Sequence, residues 1–193
     1  ARTARVLTVR PGQFDGPAPE EIPSVLDGLP RPAIYLTLGT VPVFSKPDLL
    51  RHLADALATV AGSVVVTTGP NPVAEIGALP PNVSLPPSRP KSLILPRVAL
   101  RVSHGGAGGT IGGLLHGLPP LVLPGRGHSQ ITAAAAVQRL GIGLSLDEAQ
   151  VFIDLVDADP KPPINDLKQV LADLTVASDD PSTWFDLRTA LGG

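Results

Sequence analysis

A doubly wound α/β domain, with a parallel sheet covered by helices on both faces, is the fold class that this sequence predicts. Three observations point to it. Short apolar runs recur along the chain, each bounded by turn residues. Over about 140 residues they alternate with segments whose leucines, valines and alanines repeat at helical spacing. One run also leads directly into a glycine-dense segment, HGGAGGT at 104–110, as a strand does when it turns into a helix beside a ligand.

The elements follow in order. Residues 1–32 hold six of the 23 prolines and no helical period, so they are expected to be an extended lead-in or interdomain linker, with the domain proper at 33–193. AIYLTL at 33–38 reads as a buried parallel strand ending at Gly39 and Thr40. Pro47 and Asp48 then open a helix carrying Leu49, Leu53, Leu57 and Val60 on one face. Further strands are expected at 63–68 (SVVVTT), 82–85 and 98–103 (VALRVS). The glycine-dense stretch is read as loop then helix, followed by a strand at 121–123, a helix from about 129 to 140 and a last strand at 142–144. Two helices are expected in the tail, ending near Leu174 and Arg188, with Trp184 packing the second onto the body.

Composition bounds the function classes. With 193 residues, 43% hydrophobic and 17% charged, the chain can build one substantial core. A net charge of -2 provides no broad positive field, so neither nucleic acid nor an acidic membrane is an expected partner. There is no cysteine, hence no disulfide framework or thiolate metal site. No apolar run approaches the roughly 20 residues of a membrane span, and no signal sequence opens the chain, so a cytoplasmic location is expected. The absence of methionine suggests a processed product or an excised domain.

The chemistry is concentrated at 104–110. Gly105, Gly106, Gly108 and Gly109 let the backbone approach a ligand with no Cβ in the way. Where such a loop enters a helix, unpaired N–H groups and the positive end of the helix dipole converge, which suits a phosphate. His104 could donate a ring N–H and Thr110 a hydroxyl. These residues alone leave a second reading open, a glycine-rich turn capped structurally by a histidine.

The wider run from Val102 to Gly143 resembles the signature of bacterial family 1 glycosyltransferases of the macrolide and natural-product type. That family shows HGG-x-GT, a helix, G-[VL]-P, a strand ending in LP, a loop with D-Q-x-x-N-A, and LG-x-G, and the order and most spacings match here. LPRPAIYLTLGTV at 29–41, VVVTTGPNP at 64–72 and LPPNVSLPP at 79–87 look like the same family's C-terminal domain. The resemblance implies one Rossmann-like half of a GT-B fold, the half that binds a nucleotide diphosphate sugar such as a UDP or dTDP sugar. It implies that the acceptor, a small-molecule hydroxyl, and the catalytic base belong to an N-terminal domain absent from this chain, so no residue here is assigned as catalytic. It implies neither a resident cofactor nor a metal.

By the same resemblance His104, Gly105, Gly106, Gly108, Gly109 and Thr110 would surround the donor diphosphate, with Gly39 and Thr40 opposite. Ser129 and Gln130 stand where the family's Asp-Gln meets the sugar, with His128 beside them, and Arg89 stands in the turn that often carries a base-stacking tryptophan. Two positions depart from the pattern: Gly112 replaces a ribose-binding glutamate and Ser129 replaces the carboxylate. Those departures keep a non-catalytic homologue in view, and an epimerase or phosphorylase on the same architecture is the other alternative. His52 and His116 are read as structural, and the carboxylates from Asp147 to Asp159 as a solvated face.

Overall fold

A computed structural model of the chain describes residues 24–40, 46–59, 61–86, 91–125 and 127–145. The first strand, β1 (Ala33–Thr37), is buried along its whole length, as a continuous apolar run requires when both faces are covered. Helix α1 (Pro47–Ala58) starts on the expected proline, with Asp48 in its first turn, and buries Leu49, Leu50, Leu53, Ala54, Ala56 and Leu57. There follow β2 (Ser63–Thr67), the single-turn α2 (Val73–Ile76), β3 (Val83–Ser84) and the single-turn α3 (Lys91–Ile94). β4 (Leu100–Ser103), α4 (Ala107–Leu115), β5 (Pro120–Val122), α5 (His128–Leu140) and β6 (Leu144–Ser145) complete the alternation.

The sheet order is β3-β2-β1-β4-β5-β6 and every pairing is parallel. The chain winds outward from β1 to β3, crosses back to β4 on the other side of β1, and winds outward again. At that reversal Thr37 pairs with Ser103, so the loops that begin at Leu38 and His104 leave the sheet side by side. Doubly wound sheets hold their ligands in this crevice.

Alternation along the strands divides the core between two faces. Ile34, Leu36, Val64, Val66, Leu100, Val102 and Leu121 pack with the buried residues of α1. Ala33, Tyr35 and Val65 point the opposite way, towards Ile94, Leu95, Val98 and Leu118. Val122 packs against Ala134 and Val137 of α5.

Part of the expected linker belongs to this body. Leu26, in a 3-10 turn at Ser24–Leu26, is buried in the second cluster, and the Ser63 hydroxyl donates to the Pro30 carbonyl at 2.8 Å. The two single-turn helices were not expected, because four residues carry no readable period. The expected strand at 142–144 lies slightly later, at Leu144–Ser145. The rest of the lead-in, Arg89, the acidic stretch at 147–159, the tail helices and Trp184 lie outside the described residues. Among the described residues no helix is long and apolar enough to cross a membrane.

Candidate functional site

The crevice between the carboxyl ends of β1 and β4 is built around the ring of His104. Gly39, at a φ of 78°, lies on one side of it, and a Cβ added there would sit 2.5 Å from His104 Cε1. Gly106 lies on the other, where a Cβ would sit 2.7 Å from Nε2. The imidazole thus occupies a slot that two glycines keep open. Thr40, next to it, is exposed.

Helix α4 begins immediately beyond. Its N-cap, Gly106, has no side chain to cap the first turn, and the Thr110 N–H closes the first turn onto the Gly106 carbonyl at 2.9 Å. The N–H groups of Ala107, Gly108 and Gly109 therefore have no acceptor within the helix. Ala107 and Gly108 are exposed, and no atom lies within 4 Å of a Cβ built on Gly108. Thr110 differs from the expectation. It is buried, and its hydroxyl donates to the Gly106 carbonyl at 3.1 Å, so its one proton is committed to the turn rather than aimed at the crevice.

The electrostatics of the crevice are cationic. His104 is held below its ordinary value chiefly by burial and then by the positive charges of Arg101 and Lys91, and no acidic residue lies in the first turn of α4. The sign of the resulting pH dependence follows by linkage. Above 6.5, the ordinary value, the ring is neutral whether the chain is folded or not. Below it the unfolded chain takes up the proton first, and the fold loses stability until the native ring protonates as well. The melting temperature of the unliganded chain is therefore expected to fall as pH drops from about 7.5 to about 5.5, and to fall less in His104→Gln. An equal fall in the variant would place the titrating group elsewhere.

The sequence drew no attention to Arg101, although an arginine within the apolar run VALRVS was a readable signal. It is only 3% exposed, and its Nε and Nη1 have no hydrogen-bond partner among the described residues. Burial holds its pKa below the usual arginine value, against an opposing influence from Tyr35, whose ring centroid lies 5.9 Å from the guanidinium carbon.

The expected sugar loop stands at the start of α5. His128 and Ser129 are exposed there, whereas Gln130 is 5% exposed and its Oε1 accepts the Gly125 N–H at 2.9 Å. Half of the Gln130 amide thus fixes the loop, leaving the NH2 group to donate. Gly105, at a φ of 82°, joins the two loops: a Cβ there would lie 2.7 Å from Val122 Cγ1 and 3.2 Å from the Gln130 carbonyl oxygen. The structure therefore brings Gly39, the 104–110 loop and the first turn of α5 to one edge of the sheet. The His52 Nδ1–H donates to the Asp48 carbonyl oxygen at 2.6 Å along α1, and His116 is exposed at the end of α4, so neither joins the crevice. Among the described residues no group of three His, Cys, Asp or Glu could hold a metal. An open groove lined by Ser24, Asp27, Gly62, Ser63 and Asn82 lies at the opposite edge, by the amino end of β2.

Residues 51–178 match the family described as erythromycin biosynthesis protein CIII-like, C-terminal domain. The elloramycin glycosyltransferase ElmGT of Streptomyces olivaceus is 32% identical over 116 residues, 60% of this chain and 30% of that protein. The TDP-daunosamine transferase DnrS of Streptomyces peucetius is 30% identical over 154 residues, 75% of this chain and 36% of that protein. The solved spinosyn rhamnosyltransferase SpnG superimposes with a TM-score of 0.72 at 20% identity, over 92% of this chain and 45% of that one. The chain thus spans about a third of the length of these curated relatives.

Proposed function

This chain belongs to the erythromycin biosynthesis protein CIII-like C-terminal domain family, and from that premise we propose that it is the donor-binding half of an inverting glycosyltransferase. Its sheet is one Rossmann-like half of a GT-B fold. The proposed donor is a nucleotide diphosphate sugar carrying UDP or dTDP, and the relative named as a TDP-daunosamine transferase favours dTDP. The proposed acceptor is a hydroxyl of a natural product, held by a domain outside this chain.

One observation carries the reading: three helix N–H groups without intrahelical acceptors and the ring of His104 converge beside the cations Lys91 and Arg101. In the proposed reaction the acceptor oxygen bonds to the anomeric carbon from the opposite face. The bond from that carbon to the β-phosphate oxygen breaks, and its electron pair stays on the diphosphate. The acceptor proton passes to a base on the other domain. Charge grows on the diphosphate as the bond lengthens, so donors already aimed at it stabilise the transition state without reorganising. His104 and the amides of Ala107, Gly108 and Gly109 have that role here, with Gly39 and Gly106 keeping the ring in place. His128, Ser129 and the Gln130 NH2 are positioned at the sugar end, and Thr40 at the rim. We assign the nucleobase end to the turn that carries Arg89.

Calorimetric titration of the chain tests this directly. UDP or dTDP is expected to bind at least about 10-fold more tightly than uridine or thymidine, because the phosphates make the charge-assisted bonds. Failure of both diphosphates to bind would favour a homologue that has lost its donor. Gly112, buried in α4, and Ser129, exposed at the start of α5, are the two departures from the resembled motif that would explain it.

A further inference from the structure

Four of the nine residues of α4 are glycine, an unfavourable composition for a helix interior. Two of the four, Gly109 and Gly113, face Arg101. A Cβ on Gly109 would overlap the guanidinium at Nη2, and a Cβ on Gly113 would touch Arg101 Cδ at 3.4 Å. The helix therefore gives up propensity to make room for an arginine that rises from β4 and ends beneath its first turn. That arginine is a buried cation with no carboxylate paired to it among the described residues. Among the described residues its Nε and Nη1 have no hydrogen-bond partner, the hydroxyl of Ser103 two residues on is likewise buried without one, and the guanidinium lies over the Tyr35 ring. Burying a charge in this way is costly and persists only where something offsets it. The open face of the same turn carries the amides that have no acceptor within the helix, so an anion received there would lie on the far side of one helical turn from the guanidinium.

We propose that Arg101 is a positioning residue for the donor diphosphate: a guanidinium lodged under α4, in the space left by Gly109 and Gly113, that supplies the fixed positive charge against which the diphosphate is held. The inference rests on the reading that α4 receives a diphosphate. It adds a cation to that site from inside the sheet, where none of the motif residues stands. The bound anion offsets the charge, so the empty domain carries an electrostatic strain that the loaded one does not.

Arg101→Met, of similar length and apolar, separates this role from a packing role. With dTDP and UDP as probes, R101M is expected to bind about 10-fold more weakly or worse, while thymidine and uridine bind as they do to the unmodified chain. Without ligand, R101M is expected to melt at a higher temperature, whereas a merely structural arginine would leave the variant less stable. Gly109→Ala provides an independent arm: it should lower the melting temperature of the unmodified chain by displacing the guanidinium and cost much less in the R101M background. Unchanged diphosphate affinity in R101M, or a lower melting temperature, would overturn the proposal. If the unmodified chain binds no diphosphate, the donor reading fails first and this inference with it. If diphosphate binds equally to both chains, the donor reading stands and only the role of Arg101 falls.

Discussion

Gly39→Ala is expected to weaken UDP and dTDP binding by about 10- to 100-fold, the equivalent of one lost charge-assisted hydrogen bond. The added methyl would lie 2.5 Å from His104 Cε1, far inside contact distance. The ring has no other way to yield, because Gly106 closes the slot on its second side. It must rotate out, taking its N–H with it. Gly39 also sits at a φ of 78°, where an L-residue costs about 1–2 kcal/mol, so a modest fall in melting temperature should accompany the loss. His104→Ala should match the loss of affinity without that fall in full. Normal diphosphate affinity in Gly39→Ala would show that the histidine ring does not contact the ligand.

The largest effect on stability is expected from Gly105→Val. A β-branched residue at a φ of 82° is strained by about 1–2 kcal/mol, and forcing a side chain against Val122 and the Gln130 carbonyl adds about 1–3 kcal/mol. A loss of about 3 kcal/mol corresponds to roughly 10 °C in melting temperature for a chain of this size. Gly28→Ala is the matched control, since Gly28 also has a positive φ but nothing lies within 4 Å of its Cβ. It should lose only the backbone share, about 1 kcal/mol. If the two variants melt together, the packing of α5 on the glycine loop is looser than the structure shows.

The sheet was legible because its strands are buried on both faces: AIYLTL, SVVVTT and VALRVS announce themselves as short, largely apolar runs. The strand order was not legible as such. It enters through the alternation with helices, which leaves a doubly wound sheet few arrangements. β3 and β6 are two residues each and α2 and α3 one turn each, lengths at which periodicity carries no signal. The lead-in was misjudged at its end for a related reason. Proline content argues for an extended chain but does not tell a linker from a segment packed by one leucine, here Leu26.

At the site, the glycine loop was readable from its position after a strand, whereas the partners of individual side chains were not. Thr110 turns inward because its hydroxyl lies within reach of the carbonyl one turn back, an option local to any helix. Gln130 commits its amide oxygen to the Gly125 N–H, a bond that depends on how the loop folds back and that no residue pattern announces. Arg101 escaped notice because a strand pattern treats one charged residue in an apolar run as an exception. Its meaning lies in two glycines on a different element.

The most direct measurement is amide mapping by NMR of the isotopically labelled chain titrated with dTDP. The account predicts that the largest shifts fall on Ala107, Gly108 and Gly109, with His104 ring signals moving alongside them and the groove by Ser24, Ser63 and Asn82 unaffected. Binding of dTDP with those three amides unmoved, or with the shifts gathered at that opposite groove, would contradict it.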